Sequence, residues 1–228
     1  MARNFNKVLL VGTIESEMSL RMTTNGTSVT NFTITTSNNH TNQSGELQTY
    51  KKWHHIVCWG KLAEQVVTTF QFGDVVFVEG SMSYRHYEKN NKSLKVAEIK
   101  ATTVTKWDGS LNKIILVGNI GSDLSLRKTT NNTNVTNFSI STIDKWKNKT
   151  GETQTQKEWH RTVCWGKTAE IAVNNLQNGS LILAEGTISY RTHVNREGIK
   201  NNHIAEVKIS QLTKWANPLE KEKTSENN

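Results

Sequence analysis

Hydrophobic and polar residues alternate along five segments of the first half of the chain, with short polar stretches between them. A period of two is typical of strands that bury one face, and many of these residues are β-branched. The segment Lys61–Phe70 differs, because Leu62, Val66 and Phe70 fall four residues apart, as on one face of a helix. The pattern predicts strands at residues 6–14, 27–37, 49–59, 74–87 and 94–106, a polar loop at 38–48 and one short helix after the third strand.

The second half of the chain repeats the first. At an offset of 106, residues 6–87 and 112–193 are identical at 43 of 82 positions, and the second helical segment again has one apolar side. A period of this length exceeds that of solenoid repeats, so we interpret the chain as one domain that occurs twice. The predicted division is a first domain at 1–107, a linker at 108–111, a second domain at 112–216 and a polar, disordered tail at 217–228.

The most informative stretch is Lys51–Lys61, KKWHHIVCWGK, which recurs as Lys157–Lys167, KEWHRTVCWGK. Alternate side chains of a strand share a face, so both tryptophans of each stretch point the same way, with a His or Arg between them. Unpaired bases stack on such rings, at about 1–3 kcal/mol per base, and phosphates attract Lys and Arg. The repeated pattern favours a nucleic-acid platform, although core-filling tryptophans are the alternative for either stretch alone. The two predicted faces carry Trp53, His55, Val57, Trp59 and Trp159, Arg161, Val163, Trp165.

Charge supports an anionic partner. The formal net charge is +8 and the pI is about 9.5. Residues 1–108 carry 12 basic and 9 acidic side chains, and residues 109–216 carry 14 and 8, so the excess belongs to the predicted domains. A membrane surface fits less well, because no basic amphipathic helix is visible. With neither a signal peptide nor a transmembrane run, and with Cys58 and Cys164 expected to be reduced, we expect a cytoplasmic location and no membrane partner.

Several motifs resemble the bacterial single-stranded DNA-binding protein family. They are NKVLLVG at 6–12, NFTITTS at 31–37, WHHIVCWGKLAE at 53–64 and GDVVFVEG at 73–80, each with a counterpart in the second half. The resemblance implies an all-β chain of two tandem OB-fold barrels, each a five-stranded Greek-key barrel with one short helix. It also implies sequence-independent binding and protection of single-stranded DNA in replication, recombination and repair. By analogy with tandem members, a homodimer would present four barrels.

The resemblance also implies site residues. Family members stack bases on aromatic side chains at four places and use nearby cations for phosphates. Neither copy has the full aromatic set, which suggests a division of labour in which the more basic second half binds more tightly. His54 and His160 match a position near the family's subunit contact, so we interpret them as structural. The predicted DNA-binding residues are His40, Trp53, Trp59, Lys61, Arg85 and Tyr87 in the first copy, and Trp146, Trp159, Arg161, Trp165, Lys167, Arg191 and His193 in the second.

The C-terminal sequence differs from that of many bacterial relatives, which end in an acidic tip that docks repair and replication enzymes. This sequence ends in EKEKTSENN, so we expect no docking by that route. This departure fits a specialised bacterial paralogue or a protein encoded by a mobile element. The expected cytoplasmic location is at the nucleoid.

Three other functions are alternatives to this prediction. An enzyme is disfavoured, because His54 and His55 are adjacent in a strand and face opposite ways, and no His, Cys or carboxylate set has ligand spacing. No phosphate-cradling glycine loop is present either, so we predict no metal, cofactor or catalytic residue. Binding of RNA or of another oligonucleotide or oligosaccharide by tandem OB-folds is the main alternative, since aromatic stacking alone does not distinguish DNA from RNA. A purely structural pair of barrels is the third.

Overall fold

The protein is described by a computed structural model over residues 5–41, 47–89, 92–148, 150–194 and 200–214. Its described residues form two compact units, each built around one copy of the repeat. One unit comprises residues 7–113 with 190–205, and the other comprises residues within 1–6, 114–189 and 206–228. The predicted tail at 217–228 lies outside the described residues.

Strands dominate both copies, in the order that the alternation predicts. The first copy contains β1 (Phe5–Ile14), β2 (Arg21–Met22), β3 (Ser28–Thr41), β4 (Leu47–Trp59), α1 (Lys61–Thr69), β5 (Val75–Lys89) and β6 (Lys92–Lys106). The second contains β7 (Leu111–Ile120), β8 (Arg127–Lys128), β9 (Asn134–Lys147), β10 (Thr153–Trp165), α2 (Gly166–Asn175), β11 (Leu181–Val194) and β12 (Lys200–Lys214).

Five strands of the first copy close into a ring. Strand β1 pairs antiparallel with both β3 and β5, β3 pairs antiparallel with β4, and β5 pairs antiparallel with β6. The parallel pair β4–β6 completes the ring. The second copy repeats this order with β7, β9, β10, β12 and β11. A closed five-stranded barrel with one helix after its third long strand is the fold that the sequence predicts, and the all-β class with two tandem barrels is confirmed.

Each barrel buries the apolar face of its strands and one side of its helix. In the first copy, Leu10, Ile34 and Ile99 are fully buried, and α1 contributes Ala63 and Val66 to the same core. Burial of apolar surface is the main stabilising contribution to such a core. The predicted helical face therefore lies inward, with Ala63 taking part in addition to the residues that the four-residue spacing indicated.

The hairpin between β3 and β4 is longer than the sequence predicts. Residues 38–48 were expected to form a polar loop, but pairing continues from Asn38 opposite Tyr50 to Thr41 opposite Leu47. The equivalent strands of the second copy pair as far as Lys147 opposite Thr153. Polar side chains are compatible with a strand whose backbone groups are paired, so composition alone made this segment look like a loop.

Candidate nucleic-acid interface

The face of β4 that carries two tryptophans is open to solvent. Trp53 is 51% exposed and Trp59 is 43% exposed, whereas the intervening His54, Ile56 and Cys58 are fully buried. His55 is exposed between the two rings, and its Nδ1 lies 3.3 Å from the Thr33 hydroxyl. The alternation inferred from the sequence therefore holds for Trp53, His55 and Trp59, and the core-filling alternative is wrong for these two tryptophans. Val57, and Val163 in the second copy, were predicted on the same face but are buried, so the exposed face is interrupted there.

Strand β10 presents the same arrangement in the second copy. Trp159 is 40% exposed and Trp165 is 41% exposed, and Arg161 is exposed between them. The opposite face of the strand carries the buried side chains of His160 and Cys164. We call Trp53, Trp59, Trp159 and Trp165 the platform tryptophans.

The remaining predicted aromatic positions lie on the long hairpins. Trp146 is exposed on β9, directly opposite Gln154 of β10. His40, Tyr87 and His193 lie in β3, β5 and β11, but their side chains are outside the described part of the protein. Their predicted role in binding stays a prediction.

Cations border the platform tryptophans because the chain turns sharply at the end of each platform strand. Gly60 adopts a φ of 57° between β4 and α1, and Gly166 adopts a φ of 54° at the equivalent point, a region that glycine enters without steric cost. Lys61 and Lys167 follow these glycines and are exposed at the starts of the helices. Each predicted lysine therefore lies two residues after a platform tryptophan, Trp59 or Trp165, just past the turn.

The two predicted arginines on β5 and β11 are also exposed. Arg85 Nε donates to Glu98 Oε1 at 2.7 Å, so a carboxylate on the neighbouring strand orients this side chain and offsets its charge. Such a pair leaves less net positive charge for a phosphate than an isolated arginine would.

Two adjoining grooves run along the exposed face of the first barrel. Their volumes are about 300 and 330 Å³, and they share Asn31, Arg85 and Glu98. Trp59 lines one groove and His55 the other. Stacking surfaces, amide and carboxylate groups and a cation therefore meet in one concave surface, which suits a polar, flat ligand such as a nucleobase with its phosphate.

The buried face of β4 contains a polar cluster behind the platform. His54 Nε2 lies 3.0 Å from the Thr36 hydroxyl, and His54 Nδ1 lies 3.2 Å from the Tyr190 hydroxyl within the same unit. Burial, with a smaller contribution from the nearby charges of Lys52 and His55, lowers the pKa of His54 to about 3. The imidazole is therefore neutral at ordinary pH and serves as a packed hydrogen-bonding group, in agreement with a structural role.

The described residues also bear on metal binding, thiol reactivity and membrane insertion. Among the residues that the structure describes, no three His, Cys, Asp or Glu side chains come together to hold a metal ion. Burial raises the pKa of the Cys58 and Cys164 thiols to about 12, which keeps them protonated and weakly nucleophilic. No helix within the described ranges is long and apolar enough to cross a membrane.

Several residues of the interface were not predicted from the sequence. Arg21 donates to the Asn31 side chain, and both residues line the groove beside Trp59. Lys157 Nζ stands 4.3 Å from the centre of the Trp159 ring, a cation–π distance. Lys157 is the first residue of the second copy of the motif, and the motif's end positions indicated cations. The contacts of Arg21 with Asn31 and of Arg85 with Glu98 depend on strand pairing and have no signal in the motif.

Comparison with known proteins agrees with this geometry. The family model described as the single-strand binding protein family matches residues 5–106 and again residues 111–214. The single-stranded DNA-binding protein of Thermus aquaticus is 24% identical over 205 residues, which cover 82% of this chain and 76% of that protein. The single-stranded DNA-binding protein 1 of Chlorobaculum tepidum is 41% identical over 90 residues, which cover 40% of this chain and 56% of the relative.

Solved structures show the same fold. The crystal structure of the wild-type single-stranded DNA-binding protein from Thermus aquaticus superposes with a TM-score of 0.75 at 24% identity, covering 95% of each chain. A deletion mutant of that protein gives a TM-score of 0.76, with 95% of this chain and 97% of the other covered. Since the family model matches nearly all of both barrels, this chain belongs to the single-strand binding protein family.

Proposed function

We propose that the protein binds single-stranded DNA without sequence preference, by stacking bases on the platform tryptophans and holding phosphates with the neighbouring lysines and arginines. Stacking tolerates every base because each has a π-face, and a basic groove follows the backbone. Trp146 is exposed on a hairpin and would add a further stacking position, and we propose binding roles for His40, Tyr87 and His193 from the family resemblance. The relatives from Thermus aquaticus and Chlorobaculum tepidum carry the name of this activity.

One observation carries the proposal most directly. Four tryptophans stand 40–51% exposed at equivalent positions of two barrels, each next to a buried residue of the same strand. Large apolar rings that a protein leaves in water at repeated positions mark an interaction surface. The net charge of +8 indicates that the partner is anionic.

A titration of intrinsic fluorescence with oligo-dT tests this function. We expect strong quenching at low salt, because the platform rings lose solvent contact when bases stack on them. The apparent affinity should fall as salt rises, since each neutralised phosphate of a single strand contributes roughly 0.7 to the logarithmic salt slope. Fluorescence that ignores oligo-dT at low salt would refute the proposal and leave a structural pair of barrels.

RNA is the second candidate ligand, because nothing in a stacking platform distinguishes ribose from deoxyribose. Recognition of RNA would require contacts to the 2′-OH. Competition between oligo-dT and oligo-U at several salt concentrations separates the two ligands. We expect oligo-dT to compete at least as well, and a clear preference for oligo-U would identify RNA as the ligand.

The proposed assembly is a homodimer that presents four barrels, and the proposed domains are residues 1–107 and 112–216. A dimer would let one DNA strand contact several platforms, and linked sites bind far more tightly than each alone. Light scattering of the full chain should therefore give twice the mass of 25.8 kDa. A mass of one chain at micromolar concentration would contradict the dimer.

The cellular role that fits this binding is protection of single strands in replication, recombination and repair. We propose a binding protein that carries out no catalysis and is associated with the nucleoid. Incubating labelled single strands with the protein and Mg²⁺ should leave them intact, and degradation would indicate a nuclease instead.

A further inference from the structure

The residue that follows the first strand of each barrel differs between the copies, although the backbone there is the same. In the first copy it is Glu15, whose N–H donates to the Thr33 carbonyl at 2.8 Å. In the second copy it is Gly121, whose N–H donates to the Ser139 carbonyl at 2.9 Å. The main chain therefore holds both residues at equivalent points, and only their side chains distinguish the two barrels here.

The ring of Trp159 lies directly against Gly121. A Cβ atom added to Gly121 would stand 1.9 Å from Cζ3 and 2.4 Å from Cη2 of Trp159, far inside van der Waals contact. The indole therefore occupies the space that any side chain at this position would take. Lys157 Nζ, 4.3 Å from the ring centre, adds a cation to the same ring.

At the position equivalent to Gly121, the first copy has the carboxylate of Glu15. Glu15 Oε1 accepts a hydrogen bond from the Thr35 hydroxyl at 3.0 Å and lies 3.8 Å from Lys51 Nζ. Lys51 is the counterpart of Lys157, so the same lysine of the motif pairs with a carboxylate in one barrel and with the platform ring in the other. An anion beside a phosphate path opposes binding, and it also holds a cation that a phosphate would otherwise attract.

We infer that the residue at this position sets the strength of the neighbouring platform, with Gly121 positioning Trp159 for tight stacking and Glu15 weakening the Trp53 platform. The inference rests on the proposed function, because it assigns a positioning residue within the single-stranded DNA surface. It also provides a physical basis for the division of labour between the two halves. The relevant ligand chemistry is a nucleobase stacked on the indole with its phosphate beside Lys157 or Lys51.

A double-mutant cycle in the full chain tests the role of Gly121. We expect Gly121→Ala to weaken oligo-dT binding about three- to tenfold, less than the loss of a whole stacking ring would. In a Trp159→Ala background, Gly121→Ala should have almost no effect on binding, because the ring that Gly121 positions is absent. Glu15→Ala is the matched comparison: it places alanine at the equivalent backbone position but also removes the carboxylate, so it should raise the affinity where Gly121→Ala lowers it.

A measurement without DNA reports on the ring itself. The chain has seven tryptophans. In protein labelled with 5-fluorotryptophan, the Trp159 resonance is assigned by its loss in Trp159→Phe. Gly121→Ala should move this resonance most of all, because the added methyl group displaces the ring, whereas Glu15→Ala should leave it in place.

The charge at Glu15 has its own test. Glu15→Gln should raise the affinity for oligo-dT about twofold to fivefold at low salt and steepen the salt dependence, because Lys51 becomes available to phosphate. Glu17→Gln removes the same charge two residues away at an exposed position and should change the affinity less.

The outcomes separate this inference from the proposed function. If the parent chain binds oligo-dT and Gly121→Ala weakens it equally with and without Trp159, or leaves the Trp159 resonance unmoved, the positioning role is wrong and the function stands. Equal effects of Glu15→Gln and Glu17→Gln would refute the role of the carboxylate. Absence of parent binding at low salt would overturn both the function and the inference.

Discussion

Replacing Trp159 and Trp165 together by alanine is expected to weaken oligo-dT binding by about thirtyfold or more. Base stacking on one aromatic ring is worth about 1–3 kcal/mol, so the loss of two rings costs at least about 2 kcal/mol if the effects add. The measurement is a fluorescence or anisotropy titration of the full chain at fixed low salt. Because both rings are solvent-exposed on β10, the substitution should leave the barrel core intact.

Trp107→Ala provides a matched control for this prediction. Trp107 is also exposed, but its ring packs against Phe77, with the ring centroids 5.7 Å apart, and it is not one of the platform tryptophans. We expect its loss to change binding little. A Trp159→Phe and Trp165→Phe double variant should retain much of the affinity, since phenylalanine still offers a π-face. Comparable losses in the Trp107 variant and in the platform variant would mean that the platform has no special role.

The second large effect concerns stability and pH, and it arises from His54. Its pKa is about 6.5 in the unfolded chain and about 3 in the folded protein, so the unfolded state takes up the proton first as pH falls. The contribution of the neutral, buried imidazole is complete above pH 6.5 and is lost progressively below it. The free energy of unfolding should fall by about 1.4 kcal/mol per pH unit from this residue, or about 2 kcal/mol by pH 5.

The measurement is urea unfolding between about pH 7 and pH 5, a window in which carboxylates contribute less. His54→Gln should be less stable at pH 7 but should show a flatter pH dependence than the parent. His86→Gln removes an exposed histidine and serves as the matched control for the loss of an imidazole. Identical slopes in the parent and in His54→Gln would show that burial of His54 does not link folding to protonation.

The fold and the platform faces were accessible from the sequence because both follow from local periodicity. The period of two in residues 53–59 determines which side chains share a face, and the structure places Trp53 and Trp59 outward and His54 inward accordingly. The barrel prediction also depended on the repeat and on the motifs shared with the family, which the comparison confirms. The domain boundaries and the binding roles of individual residues stay predictions.

Features that depend on pairing between distant strands were not accessible in this way. Glu98 meets Arg85 because β6 is registered on β5 with Glu98 opposite Ser83, two residues from Arg85 on the same face. Likewise, Gly121 reaches Trp159 only because the barrel brings the end of β7 to the side of β10. Neither contact has a local signature, since its partners lie far apart in the chain or change with a shift of register.

The paired hairpin that carries Trp146 has a consequence for how this surface tolerates change in length. Trp146 lies opposite Gln154 in a paired ribbon whose successive side chains point to opposite faces. The face on which the indole lies therefore depends on the number of residues between it and the barrel. Inserting one residue between the barrel and Trp146 would turn the indole to the opposite face of the ribbon. Inserting two would move it farther from the barrel but keep it on the same face. Insertions or deletions in this hairpin that keep the aromatic ring on the binding face should therefore involve even numbers of residues. A flexible loop would impose no such restriction.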